Sequence, residues 1–229
     1  MKPNLLYIIV LYLLCLKTYA QKEESTFYNF YDSIVELKNT DLSYGMLFKE
    51  KYNSSSVNHY FFLSNKPLPG NIDYNNKVFF TSKMKLDLIQ DNLILYISDN
   101  DNSSNYPLIL NSSYVNKFTL SGHIFLNDPI YKYVEKLAEN KNHLLFKKHL
   151  KKEKKQLDRR YLYYKYNKTS KLYLQKDSTY LEIKKVKDFY NAYPNKKKII
   201  KAFIKKNNYL FKENKEIFFT KLFTSLNIN

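Results

Sequence analysis

Cysteine, glycine and tryptophan are scarce in this chain of 229 residues, which contains one cysteine, three glycines and no tryptophan. The cysteine, Cys15, lies in a segment that we expect to be removed, so the mature chain can form no disulfide. The glycines at positions 45, 70 and 122 are too scattered to build a glycine-rich phosphate loop. No serine lies in the GxSxG elbow of the α/β-hydrolases. These absences argue against nucleotide binding by a phosphate loop and against that class of serine hydrolase.

Arginine is nearly absent, because Arg159 and Arg160 are the only arginines among 38 basic residues. The formal net charge of +17 would attract anionic lipids, glycans or nucleic acid without specificity. Proteins that read bases rely on the planar fork of arginine, so we expect no specific nucleic-acid partner. The chain is also rich in Lys, Asn, Ile, Tyr and Phe, whose codons are AT-rich. Biased nucleotide composition alone could therefore produce the charge.

Long apolar runs are absent except near the start, where residues 1–20 read MKPNLLYIIVLYLLCLKTYA. An early lysine, a short apolar run and a small-residue site ending at Ala20 predict a secretory signal peptide cleaved before Gln21. The run is short for a transmembrane helix, and no later segment could span a bilayer. A lipoprotein is a weaker alternative, because Cys15 follows Leu14 instead of a small residue. We expect an exported protein of the periplasm, the cell surface or the extracellular space.

The most regular stretch of the chain, Lys83–Leu126, predicts a β-meander. Apolar residues occupy every second position from Met84 to Leu88 and again from Leu93 to Ile97, which is the pattern of half-buried strands. Other predicted strands are Tyr44–Lys49, His59–Leu63, Val78–Thr81, Tyr106–Leu110, Val115–Leu120, His123–Leu126, Tyr131–Leu137, His143–Leu150, Tyr161–Tyr166, Lys171–Gln175 and Thr179–Lys184. For residues 131–155 a helical interpretation stays open.

Two segments are predicted to be irregular. Pro67-Leu68-Pro69-Gly70 combines two prolines with a glycine and predicts a turn instead of a regular element. Lys147–Arg160 holds eight basic residues in fourteen positions and predicts an exposed loop.

The apolar period changes from 2 to 3.6 after Lys184. Apolar residues from Val186 to Tyr193 line one helical face, Pro194 ends that helix, and two further helices follow on either side of Asn207-Asn208. Strands followed by helices predict an α+β protein: an antiparallel β-sheet meander body with a short C-terminal helical segment. The predicted boundaries are a signal peptide (1–20), an N-terminal leader (21–42), a β-rich body (43–185) and a helical segment packed on the sheet (186–229).

Candidate catalytic and metal-binding residues are few. The histidines are His59, His123, His143 and His149. They show neither a neighbouring cysteine nor an HExxH spacing, so we interpret them as surface or internally bonded residues. The acidic residues concentrate at Asp87, Asp91, Asp99 and Asp101. They lack the glycine and the terminal glutamate of a calcium-binding EF-hand loop and are better explained as turn residues. We therefore predict no catalytic residue, no metal site and no cofactor.

One segment interleaves aromatic rings with positive charge, as proteins that bind single-stranded nucleic acid or sugars do. The candidate surface for an anionic ligand comprises Lys147, Lys148, Lys151, Lys152, Arg159, Arg160, Tyr161, Tyr163 and Lys165. Tyrosines on both faces of a strand are also typical of a cross-strand ladder with a structural role.

Three stretches carry a family resemblance. They are LDLIQDNLILYISD, then PLILNSSYVNKFTLSGHIF, and finally KLYLQKDSTYLEIKKVKDFYNAYPNKKKIIKAFIKKNNYLF. Together with the signal peptide ending at Ala20, they resemble a group of uncharacterised exported β-rich proteins of Bacteroidota. The resemblance covers most of the mature chain and implies a β-rich body followed by a hairpin and a lysine-rich helical tail. It implies no activity, cofactor or catalytic residue.

The leading hypothesis is a non-enzymatic, exported cell-envelope protein that acts as a binding or assembly module. Its partners would be envelope proteins or anionic polymers. The alternative is a secreted protein that binds polyanions or glycans through the basic, tyrosine-rich hairpin. A hydrolase without a recognisable motif is the third hypothesis.

Overall fold

The computed structural model describes residues 40–50, 55, 57–98, 105–158 and 161–226. The predicted signal peptide and residues 21–39 of the predicted leader lie outside this range. Where the described chain begins, Thr40 caps a 3-10 turn at Asp41–Ser43 by accepting a hydrogen bond from the N–H of Leu42. The side chain of Leu42 is buried, so this turn belongs to the hydrophobic core.

Eleven strands of the described chain form one antiparallel sheet, which confirms the predicted sheet type. The strands are β1 (Met46–Leu47), β2 (Leu68–Tyr74), β3 (Lys77–Asp87), β4 (Asn92–Ser98), β5 (Asn105–Ile109), β6 (Val115–Leu120), β7 (His123–Asp128), β8 (Lys132–Asn140), β9 (His143–Asp158), β10 (Tyr161–Lys176) and β11 (Thr179–Ile183). Their order is β1-β5-β4-β3-β2-β6-β7-β8-β9-β10-β11. Two meanders therefore run outward from the central neighbours β2 and β6.

The predicted turn at Pro67–Gly70 is wrong, because β2 begins at Leu68. Pro69 pairs with Lys83 of β3, and the register shifts between Gly70 and Ile72, as at a β-bulge. A Cβ at Gly70 would lie 1.9 Å from the carbonyl oxygen of Thr119. The glycine is needed for the close approach of β2 to β6, and a bulge is a site where a strand tolerates proline.

The predicted loop at Lys147–Arg160 is also wrong up to Asp158, because these residues continue β9. All 16 residues of β9 pair with β10, although β9 pairs with β8 only as far as Lys147. Strand pairing uses backbone groups, and the lysine side chains can extend their charged ends into water. A long two-stranded hairpin can therefore form from a sequence with little apolar alternation.

The sheet is strongly curved. Lys148 of β9 places its Nζ atom 2.6 Å from Oδ1 of Asp91, which lies in the turn between β3 and β4. In a flat sheet, β3 and β9 would lie about 24 Å apart, because five strand spacings separate them. Curvature brings these distant strands together around a core that includes the buried side chains of Met84, Leu95 and Phe118.

Three helices follow the sheet: α1 (Val186–Ala192), α2 (Lys197–Glu213) and α3 (Lys215–Ser225). Asn207 has non-helical backbone angles at the predicted break, but α2 continues to Glu213 and the boundary with α3 lies at Asn214. Asn214 caps α3 by accepting a hydrogen bond from the N–H of Ile217. Buried residues of α3 join Leu145 and Leu174 of the sheet in a second core. Each fully buried large side chain contributes about 2 kcal/mol of hydrophobic stabilisation.

Candidate functional site

The outer part of the β9–β10 hairpin leaves the sheet as a two-stranded arm. We define the hairpin arm as Lys148–Asp158 and Tyr161–Lys171, the part of each strand that pairs only with the other among the described residues. It contains eight lysines and two acidic residues. Its register places lysine directly opposite lysine at three points: Lys154–Lys165, Lys151–Lys168 and Lys148–Lys171. Like charges in directly opposed positions destabilise an antiparallel pair.

One face of the hairpin arm is held against a neighbouring segment. The side-chain amide of Asn58 donates a hydrogen bond to the carbonyl of Tyr164 (2.6 Å) and accepts one from the N–H of Tyr166 (3.0 Å). The ring of Tyr166 lies 5.4 Å from that of Tyr60. Lys151 donates a hydrogen bond to the carbonyl of His59. The part of this face around Lys151, Tyr164 and Tyr166 is therefore committed to internal contacts, whereas Lys155 and Lys168 on the same face are exposed.

The opposite face of the hairpin arm carries exposed lysines. Side chains alternate along a strand, and directly opposed residues share a face, so Lys152, Lys154 and Lys165 point to the same side. All three are exposed, and Tyr163 beside them is 45% exposed. We call this group the lysine face.

The candidate residues from the sequence divide into three groups. The first group is engaged inside the protein and comprises Lys147, Lys148 and Lys151. Nζ of Lys147 lies 2.6 Å from a carboxylate oxygen of Glu216 in α3. Lys148 donates a hydrogen bond to Asp91, and Lys151 donates one to the carbonyl of His59. Lys152, Tyr163 and Lys165 come together on the lysine face. Tyr161 begins β10, its side chain is not described, and Arg159 and Arg160 lie outside the described residues.

A cavity of about 340 Å³ lies beside the β3–β4 turn, and sequence reasoning did not predict it. We call it the aromatic cavity. Its lining comprises Phe48, Lys49, Glu50, Tyr60, Asp87, Ile89, Gln90 and Ile109. Hydrogen bonds from the N–H of Phe48 to the carbonyl of Pro107 and from the N–H of Leu88 to the carbonyl of Tyr60 fix two of its walls. The cavity is thus built from segments that are distant in the sequence.

Burial and charge shape the electrostatics of the aromatic cavity. Burial raises the pKa of Asp87, and its Oδ1 atom accepts hydrogen bonds from the N–H groups of Ile89 and Gln90. These bonds agree with the prediction that Asp87 is a turn residue. Burial and the nearby charges of Glu50 and Asp87 raise the pKa of Tyr60. The phenol of Tyr60 is therefore in the field of both carboxylates.

A buried lysine lies next to the aromatic cavity. Lys85 is 6% exposed, and its Nζ atom lies 4.3 Å from the ring centroid of Phe61 and 5.5 Å from that of Tyr96. Burial lowers the pKa of Lys85, whereas the charge of Glu50 opposes the shift. The two rings supply cation–π stabilisation for a charge that is largely removed from water.

Two histidines share one buried glutamate. Nδ1 of His123 lies 2.5 Å from Oε1 of Glu135, and Nε2 of His149 lies 2.5 Å from Oε2. Burial raises the pKa of Glu135, but the hydrogen bonds from His149 and His123 outweigh it and lower the pKa to about 2. Burial lowers the pKa of His149, and its Nδ1 atom has no hydrogen-bond partner among the described residues. Both observations fit a neutral His149 that donates from Nε2 to an ionised Glu135.

The sequence contained one signal for this cluster. In the predicted strand Tyr131–Leu137, Glu135 shares its face with Tyr131, Tyr133 and Leu137. A single acid on an apolar face indicates an inward carboxylate that needs a partner. The partners could not be read from local spacing, because His123 and His149 lie on the neighbouring strands β7 and β9.

Neither a metal site nor a membrane span is found in the described part of the chain. No group of three or more His, Cys, Asp or Glu side chains there is arranged to hold a metal ion. No described helix is both long and apolar enough to cross a membrane. Comparison with protein-family models, curated proteins and solved structures finds no match in any of the three.

Proposed function

We propose that the chain is an exported, non-enzymatic binding protein of the cell envelope whose lysine face binds anionic glycans. The observation that carries this proposal is the concentration of unneutralised positive charge on the hairpin arm. Among the described residues, Lys152, Lys154 and Lys165 take part in no ion pair within 4 Å. The strand register fixes the backbone positions of these lysines, so it keeps the three side chains in one neighbourhood.

An anionic polymer would relieve this repulsion. Neighbouring positions on one face of a strand are about 7 Å apart, and opposed positions are about 5 Å apart, so Lys152, Lys154 and Lys165 present three ammonium groups in a compact array. Binding a polyanion to such an array releases condensed counterions and is therefore sensitive to salt. Lysine acts as a point charge without the fixed fork of arginine, which suits carboxylate or sulfate groups of varied geometry.

Tyr163 gives the lysine face an apolar component beside the charges. Its partly exposed ring lies on the same face as Lys165, which is two positions later in β10. An aromatic ring flanked by ammonium groups can stack against the C–H face of a sugar while the lysines hold its anionic groups.

Protection of a strand edge is the competing explanation for these lysines. A two-stranded arm exposes unpaired backbone groups, and lysine at such edges prevents pairing with another chain. This explanation requires no ligand. It predicts that removing the lysines causes self-association and has no specific effect on glycan binding.

Salt-dependent retention on heparin distinguishes the two explanations. The test variant is Lys152→Gln, Lys154→Gln and Lys165→Gln together. The matched control replaces three exposed lysines of α2, Lys198, Lys201 and Lys205, by glutamine, so that both variants lose the same net charge.

The native chain should stay bound above about 0.3 M salt, where simple net-charge attraction is largely screened. The lysine-face variant should lose most of this retention, and the slope of log affinity against log salt should fall by about 2 to 3. Equal losses in the two variants would overturn the proposal, and so would unchanged retention accompanied by self-association in sedimentation.

Export rests on the predicted signal peptide and on the resemblance to exported proteins of Bacteroidota. Expression of the full chain in a bacterial host with a general secretory pathway should yield a mature protein that begins at Gln21. Mass spectrometry of the exported fraction tests this, and retention of residues 1–20 in a cytoplasmic product would contradict it.

A further inference from the structure

The outer end of the hairpin arm presents two leucines to solvent. Leu157 of β9 and Leu162 of β10 are directly opposed in the strand register and are 73% and 56% exposed. Neither belongs to any of the four hydrophobic clusters of the described chain. Directly opposed residues share one side of an antiparallel pair, so the two side chains form one apolar surface. We call this pair the leucine tip.

The leucine tip lies farther out than the part of the hairpin arm that the body holds. Asn58 donates a hydrogen bond to the carbonyl of Tyr164, which is opposed to Lys155. Leu157 is two positions beyond Lys155, so at about 3.4 Å per residue the leucines lie about 7 Å farther along the arm. The leucine tip is therefore the end of a projection and not the floor of a groove.

Lysines from both faces of the hairpin arm stand behind the leucine tip. Lys155 and Lys154 lie two and three positions before Leu157, and both are exposed. Asp158 follows Leu157 in the sequence, but Arg159–Arg160 come next, so this segment adds no net negative charge. The arm as a whole carries eight lysines against two acidic residues. The apolar surface is thus combined with a strong positive charge.

A bilayer that contains anionic lipid is complementary to both features together. A soluble anionic polymer can pair with the lysines, but it leaves the leucines in water. At a membrane surface, apolar side chains enter the boundary between headgroups and acyl chains to a depth of about 5 to 10 Å, and cationic groups stay with the anionic headgroups. The distance of about 7 to 10 Å along the strand from Leu157 to Lys155 and Lys154 matches this depth. The long lysine side chains can keep their ammonium groups among the headgroups while the leucines are buried.

We infer that the leucine tip docks the protein on lipid bilayers that contain anionic lipid. Leu157 and Leu162 enter the acyl boundary, and Lys154 and Lys155 pair with the anionic groups of the headgroups. Two leucines bury less apolar surface than a single myristoyl chain, whose membrane binding is marginal, so docking requires the lysines and is reversible. Docking does not depend on the binding of anionic glycans, because the leucines are not part of the lysine face.

Two other roles for the leucine tip need no membrane. Opposed leucines can support each other across the strands and stabilise the hairpin. The tips of two copies of the chain can also bury each other. The first role predicts that vesicles have no effect on the tip, and the second predicts a dimer whose interface contains it.

Tryptophan fluorescence tests the docking directly, because the chain contains no tryptophan. Leu162→Trp places a single reporter in the leucine tip, and Leu47→Trp, at a 57% exposed leucine of β1, is the matched control. Each mature variant is titrated with vesicles of phosphatidylcholine that contain about 30% phosphatidylglycerol, and with vesicles of phosphatidylcholine alone. With the anionic vesicles, the emission of Leu162→Trp should shift to shorter wavelength, and lipids with brominated acyl chains should quench it. Leu47→Trp should show neither change.

A double variant measures the contribution of the leucines to vesicle binding. Leu157→Thr with Leu162→Thr keeps a high strand propensity, and the control makes the same change at Leu47 and Leu181, two exposed leucines of other strands. In vesicle sedimentation, the tip variant should bind at least about ten-fold more weakly than the native chain, and the control should match the native chain. Salt at about 0.5 M should weaken the binding of the native chain, because it screens the lysines. Urea unfolding checks that every variant is folded.

Three results would overturn the inference: no shift of Leu162→Trp emission with anionic vesicles, equal vesicle binding by the two double variants, or a shifted emission without vesicles in a chain that sediments as a dimer. The tip variant keeps every lysine, so its retention on heparin should equal that of the native chain. Failure of the lysine face to bind heparin would leave the tryptophan readout unchanged. The two proposals therefore fail separately.

Discussion

Acidification should destabilise the protein through His59, which lies beneath the hairpin arm. The side chain is 6% exposed, and burial together with the charges of Lys151 and Lys85 lowers its pKa from 6.5 to about 4. The backbone at Phe61 opposes the shift through a hydrogen bond. The imidazole is therefore neutral in the folded chain at pH values at which the unfolded chain is already protonated.

The direction of the effect follows from which state binds the proton. A folded pKa below the unfolded pKa contributes stability that is present above pH 6.5 and is lost as the pH falls towards about 4. At about 1.4 kcal/mol per pKa unit, the loss between pH 7 and pH 5 is about 2 kcal/mol. Movement of the flexible Lys151 side chain would reduce it, so we expect about 1 to 2 kcal/mol.

Urea unfolding at pH 7 and pH 5 measures the effect when the native chain is compared with His59→Gln. Glutamine does not titrate, whereas Glu135 and His149 titrate in both proteins and cancel in the comparison. The free energy of unfolding should fall by about 1 to 2 kcal/mol more in the native chain than in the variant. Equal pH dependence in the two proteins would refute the reasoning, and so would an NMR titration that places the pKa of His59 near 6.5.

Five further substitutions form three tests by urea unfolding at pH 7, and the third test adds measurements at acid pH. Gly70→Ala should reduce the free energy of unfolding by more than about 2 kcal/mol, because its Cβ would overlap a backbone carbonyl. Gly122 has φ of +84° and open space around it, so Gly122→Ala should cost only about 1 kcal/mol. Equal costs would contradict the close approach of the strands. Tyr133→Phe should not reduce stability, because the buried hydroxyl of Tyr133 has no hydrogen-bond partner in the described structure. Tyr180→Phe should reduce stability by about 1 kcal/mol, because it removes the 2.8 Å hydrogen bond from the hydroxyl to Asp128. The reverse order would refute this. Glu135→Gln should reduce the free energy of unfolding by about 2 to 3 kcal/mol, because the hydrogen bonds from two histidines lose their charged acceptor. It should also remove the part of the stability that the native chain loses as the pH falls from 4.5 to about 2. A cost below about 0.5 kcal/mol would show that the pairing of Glu135 with His123 and His149 contributes little.

Alternation and helical period predicted most elements because each depends on local burial. Leu93, Leu95 and Ile97 lie in β4 and are all buried, as their spacing indicates. The errors arose where backbone contacts override composition. Gly70 reads as a turn residue in isolation, yet its small size serves a close approach within a strand.

The lysines of β9 led to the second error, because charge density was interpreted as a loop. Register decides their roles instead: Lys151 turns towards His59, and Lys152, the next residue, turns to the lysine face. Alternation alone could have placed Lys151 and Lys152 on opposite faces once the segment was recognised as a strand. It could not have shown that Asp91, which is distant in the sequence, holds the buried Lys148.

The aromatic cavity was beyond sequence reasoning for a different reason, which the segment Asn58–Tyr60 illustrates. Asn58 bonds to Tyr164, which lies 106 positions later in the chain, and Tyr60 contacts the ring of Tyr166 while lining the cavity. Local patterns report which side chains are buried, but they do not report which distant segment covers them. Curvature of the sheet determines which distant segments meet, and this curvature depends on the pairing of all the strands together. A short segment with weak strand character therefore joins the hairpin arm to the aromatic cavity, and its contribution depends on the pairing of strands that are distant in the sequence.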